Sequence, residues 1–352
     1  MSAAAVRAVH NLSPHSRAPI PRRARRAPTA RRRPLAPSNA NSKGDDDPNP
    51  MGSFPEGGLA ALNQDDLPAM RRACLKVATD SAKLGAAVML DKLGADVVKT
   101  KANARDLLTE VDPEVQRIIE SSVADAFPTH GFLGEESVPG GWEAGSAAIA
   151  RLLDTGPDWL WVVDPIDGTT NFVHGMPLSA ISIGVAYKGE LQVGVIMDPF
   201  AGEIFSACLG GGAHCNFAPM RVGEERTGEE AVVVTGYGAT AESADAMLKG
   251  MKALTDLPVR SVRMLGSAAI MLAWVAAGRL TAYFECDLNA WDTAAGALLV
   301  REAGGKMTDL VTGDDYDLKT RAIVASNGAT HDELRKCLVD GGVRPLADYF
   351  KE

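Results

Sequence analysis

Trp161-Val162-Val163-Asp164-Pro165-Ile166-Asp167-Gly168-Thr169-Thr170-Asn171-Phe172 sets two acids, three residues apart, after a hydrophobic run and before Gly-Thr-Thr. The run from Leu160 to Val163 reads as a buried β-strand. Its C-terminal end, where open sheets place their ligands, then carries both carboxylates. Turn chemistry offers a plainer account: Asp164 can cap a turn before Pro165, and Asp167 suits a Pro-x-Asp-Gly turn. Two carboxylates about 4 Å apart, however, repel by roughly 4 kcal/mol at an effective dielectric of 20. Holding several together takes protons, basic partners or a metal ion.

Other acids bear on the choice. Glu135 and Glu136 end the short apolar run Gly131-Phe132-Leu133-Gly134, and Asp292 follows Trp291 at a helix start, after a strand ending in Glu285. A solvated loop would explain Glu135, and first-turn stabilisation would explain Asp292. Three separate apolar elements that each end in an acid argue for a shared site. Carboxylates without His or Cys nearby suit Mg²⁺. Gly168-Thr169-Thr170 adds backbone N–H groups at a glycine turn entering a helix, a place for phosphate oxygens. A threonine hydroxyl can orient an attacking water while a nearby carboxylate takes its proton. Asp112 is a candidate for that carboxylate, although Asp112-Pro113-Glu114 is also an ordinary N-cap signature.

The 352 residues suffice for two domains or one large one. No apolar run reaches the roughly 18 to 20 residues of a membrane span. Residues 1–44 hold nine Arg and one Lys with no Asp or Glu; since the whole chain is −9, this +10 segment leaves −19 on the rest. Arg- and Ser-rich, acid-poor leaders are characteristic of organelle transit peptides, which we prefer here to a nucleic-acid-binding arm. The acidic remainder argues against a nucleic-acid surface. Five cysteines, with no CxxC pair, fit reduced thiols; Cys208 and Cys215 flank a glycine turn and could in principle form a redox pair.

Residues 1–60 read as transit peptide and disordered leader, 61–222 as an N-terminal α+β subdomain with the metal site, and 223–352 as a C-terminal α/β subdomain. The first ordered segment is predicted as a helix from Asp65-Asp66-Leu67-Pro68 to about Leu93, and a second helix follows Asp112. Short strands at 160–163, 180–187, 191–197 and 203–209 form an antiparallel meander, with a hairpin at Lys188-Gly189-Glu190. Beyond the charged join at 223–230, strands at 231–235, 259–265, 280–285 and 322–326 alternate with helices at 243–254, 267–277 and 291–303. Thr330-His331-Asp332-Glu333 reads as a capping box for a last helix.

Gly134-Glu135-Glu136-Ser137, Asp164 through Phe172, and Trp291-Asp292-Thr293-Ala294-Ala295-Gly296 together make the chain resemble the inositol monophosphatase family, in the Li⁺-sensitive, Mg²⁺-dependent sugar-phosphatase superfamily. The similarity spans about residues 67 to 340. It implies an α+β fold, a layered αβαβα sandwich of the inositol monophosphatase / fructose-1,6-bisphosphatase type, and a homodimer. It implies a first Mg²⁺ on Glu135, Asp164 and the Ile166 carbonyl, a second on Asp164, Asp167 and Asp292, and a weaker third helped by Glu135. Thr169 and Asp112 would activate the attacking water, with Glu135 counted among the catalytic acids. Gly168 and Thr169 N–H groups would bind phosphate, with Lys101 as a loop cation near the site. Gly266, Ser267, Ala268 and Glu285 would form the wall touching substrate hydroxyls. Animal members carry Gly-Ser where this chain has Gly238-Ala239, which argues against strict myo-inositol specificity.

With its leader the chain resembles plastid members in plants and algae, which implies the chloroplast stroma ahead of the mitochondrion. The implied activity is hydrolysis of inositol phosphates and related sugar phosphates such as galactose 1-phosphate. Histidinol-phosphate, fructose-1,6-bisphosphate or 3′-phosphoadenosine 5′-phosphate phosphatases would share the metal acids. An aspartyl-phosphate mechanism wants Asp-x-Asp, whereas Asp164 and Asp167 are three apart. A non-catalytic regulatory protein is the rival from another class, but every inferred ligand is present.

Overall fold

Every residue from Trp159 to Asp167 is buried, so this strand lies inside a sheet covered on both faces. The computed structural model describes residues 62–100, 107–238 and 240–344; the leader, Lys101 and Ala239 lie outside them. In chain order the described elements are α1 (Leu67–Asp91), β1 (Val97–Thr100), β2 (Leu107–Thr109), α2 (Val111–Ala126), β3 (Gly131–Gly134), α3 (Trp142–Thr155), β4 (Trp159–Asp167) and α4 (Thr169–Val173). There follow β5 (Ala180–Tyr187), β6 (Glu190–Asp198), β7 (Glu203–Cys208), β8 (Gly212–Cys215), β9 (Ala218–Met220), β10 (Val232–Thr235), α5 (Ala241–Ala253) and β11 (Ser261–Met264). The remainder is α6 (Ala268–Ala276), β12 (Ala282–Glu285), α7 (Ala290–Glu302), β13 (Lys306–Asp309), β14 (Ile323–Ser326) and α8 (His331–Asp340).

Strands β3 to β9 form one sheet in sequence order, and a second sheet runs β11-β10-β12-β14-β13. In the first sheet β3 joins β4 in parallel and the others are antiparallel. Period-2 alternation divides the side chains between layers. Trp161 and Val163 face α1 and α2 in one core cluster, while Val162 faces α6 and α7 in another. The second sheet closes that middle layer with Val234 and Tyr283, and turns Val233 and Phe284 toward Met247 of α5 and Leu338 of α8. The order of layers is αβαβα. A helix enclosed by two sheets should be apolar all round, and α6 (Ala-Ala-Ile-Met-Leu-Ala-Trp-Val-Ala) is.

The middle layer comes close to the first sheet because two glycines face each other across it. Gly184 of β5 pairs with Gly194 of β6. A Cβ on Gly184 would sit 2.6 Å from Ala294 Cβ, and one on Gly194 would sit 2.6 Å from the Ala295 carbonyl oxygen. Helix α7 therefore rests on bare backbone.

One expectation needs correcting, and one pairing that the sequence left open is closed. The Thr330 capping box does not form: the Thr330 hydroxyl donates to Asn327 Oδ1 at 3.0 Å and makes no side-chain cap bond to α8, because the preceding turn competes for it. Cys208 and Cys215 do not face each other either. Cys208 pairs with Gly212 and Cys215 with Phe205, which leaves the thiols roughly 10 Å apart along the ladder, too far for a disulfide. Burial pushes the Cys208 thiol up to about 11.

Gly194→Ala should lower the unfolding free energy by about 2 kcal/mol, since backbone rather than a flexible side chain blocks the new methyl. Urea denaturation measures this, and an unchanged midpoint would mean that α7 can step back freely.

Candidate active site

Strand β4 stops at its acids. Asp164 Oδ1 accepts the Ile166 N–H at 2.9 Å, and the β4–β5 register shifts between Asp164 and Asp167. Past this irregularity Asp167 is still paired with Ala180, and its side chain reaches α6. There it accepts from the Ser267 hydroxyl and from the N–H groups of Ala268 at 3.2 Å and Ala269 at 2.7 Å, which satisfies the start of α6. Gly168 follows with φ +89°, and a Cβ there would lie 3.0 Å from the carbonyls of Gly266 and Leu178. Only glycine accommodates both constraints.

Asp292 arrives from the other middle helix. It is the third residue of α7, and its carboxylate accepts the Asn289 N–H at 2.6 Å in a capping box. The local explanations of Asp164 and Asp292 are therefore correct, whereas Asp167 ends β4 and spends its carboxylate on α6 rather than on a turn; the three side chains nevertheless converge. Carboxylate oxygens of all three lie within 4.8 Å of one another. Glu135, in the 3-10 turn Glu135–Ser137, lines the same cavity of about 620 Å³.

Burial first, then neighbouring charge, governs this cluster. Burial pushes Asp167 up to about 6, with Glu135 adding to the rise and the Ser267, Ala269 and Ala268 hydrogen bonds opposing it. Asp292 is raised well above the ordinary range by burial and then by the charge of Asp167. Glu285, at the end of β12, is pushed up to about 7 by burial. Among the described residues lining the cavity, Arg321 is the single basic side chain. It donates to Asp287 at 2.8 Å and Asn289 at 2.6 Å. Acids crowded this way, all oxygen donors with the nearby cation committed elsewhere, fit a hard divalent cation.

The contacts of Asp112 place it beside Thr169. The N-cap of α2 is Glu110, without a side-chain cap bond. Asp112 Oδ2 accepts the N–H and hydroxyl of Thr109, and Oδ1 accepts from the Thr169 hydroxyl at 3.4 Å. Thr169 Oγ also reaches the Ile166 carbonyl at 3.0 Å. Gly266 and Ser267 pack against Gly168, next to Asn171, whose amide donates to the carbonyls of Leu178 and Leu265 at 2.7 Å each. Ser267 and Ala268 direct their donors at Asp167, which leaves Glu285 as the acidic wall. Thr109 and Asn171 are additions that the sequence reading missed; Thr109-x-x-Asp112 was the one local signal available.

The geometry has counterparts among known proteins. The model of the inositol monophosphatase family matches residues 70–341. The chain belongs to that family. It is 35% identical over 257 residues to inositol monophosphatase 1 of Homo sapiens, covering 72% of this chain and 89% of the human protein. It is 36% identical over 254 residues to a Thermotoga maritima protein named fructose-1,6-bisphosphatase/inositol-1-monophosphatase, covering 72% and 91% of the two chains. The solved structure of a Thermotoga maritima IMPase superposes with a TM-score of 0.66 at 32% identity, over 76% of this chain and 97% of that one. The chain is thus a phosphatase whose acidic centre suits a metal ion.

Because burial raises Asp167 from the ordinary 3.8 to about 6, the folded, metal-free protein favours the protonated acid. Its cluster should lose stability as the pH rises from about 4 to about 6. His130 and His331, each pushed down to about 4 by burial, act in the opposite sense, so a variant comparison isolates the acids. In chelator, Asp292→Asn should melt above the wild type near pH 7.5, and the gap should shrink toward pH 5. Equal melting temperatures at every pH would show that the acids do not repel.

Proposed function

We propose that this chain is a Mg²⁺-dependent phosphomonoesterase for inositol monophosphates and related sugar phosphates, galactose 1-phosphate among them, acting by direct attack of water. The observation that carries the reading is the convergence of Asp164, Asp167 and Asp292 beside the Thr169–Asp112 pair in a member of this family. Glu135, Asp164, the Ile166 carbonyl, Asp167 and Asp292 are the groups that would hold the ions. Hard dications bound there supply positive charge for the phosphate and the leaving alkoxide and make water a better nucleophile.

The chain's own residues do the rest. Thr169 takes a proton from the attacking water as it passes its own hydroxyl proton to Asp112 Oδ1, as the existing 3.4 Å contact allows. Thr109 keeps Asp112 oriented by two donors on the other oxygen. Gly168 and Thr169 N–H groups take the phosphate oxygens, with Lys101 as a loop cation. Gly266, Ser267, Ala268 and Glu285 surround the leaving group. The resemblance also supports a homodimer and inhibition by Li⁺, and the acid-free +10 leader supports delivery to the chloroplast stroma.

A second reading, fructose 1,6-bisphosphate as substrate, draws on the double name of the Thermotoga relative. Assaying released phosphate across polyol and sugar phosphates separates the two by relative kcat/KM. Asp164→Asn should abolish Mg²⁺-dependent phosphate release while preserving the circular dichroism spectrum, and Thr169→Ala should cost about 10² to 10⁴ in kcat. Undiminished turnover in Asp164→Asn would remove the metal assignment. N-terminal sequencing of protein from its native cells should find a start between about residues 40 and 65.

A further inference from the structure

The leaving-group side of the cavity contains an arrangement that the phosphate chemistry does not use. Glu285 is the last residue of β12, and Tyr283 stands two positions earlier, so both side chains project from the same face of the sheet. Tyr283 is fully buried, and its phenol donates to Glu285 Oε2 at 2.6 Å. Burying a hydroxyl without a partner is costly, and Glu285 meets that need. Burial raises the phenol far above its ordinary range, so it acts as a fixed donor.

The second constraint comes from the neighbouring strand. β10 runs parallel to β12 with Thr235 opposite Phe284, which brings Gly236 beside Glu285. The Gly236 N–H is near enough to the carboxylate to favour its charged form. A Cβ at Gly236 would overlap both carboxylate oxygens, so the glycine leaves the space the acid occupies. A carboxylate offers about four acceptor positions; the phenol takes one. The others belong to a group that lines the substrate cavity and is almost shielded from bulk water, at 9% exposure.

We propose that Tyr283 and Gly236 are positioning residues that hold the Glu285 carboxylate in one orientation, so that it accepts hydrogen bonds from vicinal hydroxyls of the leaving polyol. On this view Tyr283–Glu285–Gly236 sets the preference for hydroxylated over bare leaving groups. The inference rests on the phosphatase reading above and deepens it, because it assigns leaving-group selection to a unit separate from the metal acids.

The test compares full-length wild type, Tyr283→Phe, Gly236→Ala, Glu285→Gln and the Tyr283→Phe/Glu285→Gln double variant, with Mg²⁺. Inositol 1-phosphate and phenyl phosphate, which has no leaving-group hydroxyls beyond the ester oxygen, serve as substrates. Tyr283→Phe should reduce the ratio of the two kcat/KM values about tenfold, through KM for inositol 1-phosphate. Gly236→Ala, acting on the same carboxylate from the other side, should shift the ratio the same way. The double variant should show no further loss beyond Glu285→Gln. A Tyr283→Phe enzyme with an unchanged ratio, or with equal losses on both esters, overturns the positioning role and leaves the phosphatase reading standing. Wild type inactive on both esters overturns both.

Discussion

Mutual repulsion among buried carboxylates is the constraint around which this molecule is arranged. Asp164, Asp167 and Asp292 come within 4.8 Å of one another, and burial makes each negative charge costlier. The fold answers in part with helix ends. Asp167 receives the first N–H groups of α6 and Asp292 caps the start of α7, so the positive ends of both middle helices meet at the cluster. Those dipoles are worth fractions of a charge, against three acids and a nearby Glu135. The shortfall is the affinity the site has left over for a cation.

That arrangement depends on where the middle layer sits. α7 lies against the Gly184–Gly194 pair, and Leu272 of α6 packs where a side chain on Gly296 of α7 would stand. Close packing on both sides fixes the height and rotation of each helix, and with them the positions of their first residues. A site of this type tolerates errors of only about 0.5 Å. The glycines are thus part of the chemistry although they touch none of the reacting groups.

Much of this was legible in the sequence where one element carries its own signal. The buried strand ending in Asp164 and Asp167, the mixed α+β order and the acid at the start of α7 follow from periodicity and turn residues alone. Convergence had only an indirect signal, three apolar elements that each end in an acid: Asp292 in the first turn of α7 does not by itself imply that it meets Asp167. Helix α3 escaped notice because only Gly145 and Ile149 of it are buried, too few to show a stripe. The β1–β2 pair and the strands β8, β9 and β13, three or four residues each, also went unread; β8, β9 and β13 carry almost none of the β-branched and aromatic residues that mark the equally short β10. The failed Thr330 box has a different cause, since the pattern is present and Asn327 takes its hydroxyl. Tyr283-x-Glu285 could have been read as a same-face pair, but nothing in the sequence says that the face looks into a cavity.

The two sheets also divide the work. On the proposed reading the phosphate would meet groups of the first sheet and its helices: Asp164 and Asp167 close β4, Glu135 follows β3, and Asp112 lies in the first turn of α2. The leaving group would meet the second sheet, where Gly236 follows β10 and Glu285 ends β12. Asp292 comes from the layer shared by both. A change at the end of β10 or β12 can therefore reshape the wall that meets the leaving group without moving an acid on β4. On that reading such a division would let one metal centre serve several phosphate monoesters, with the choice among them made across the cavity by side chains remote from the phosphorus.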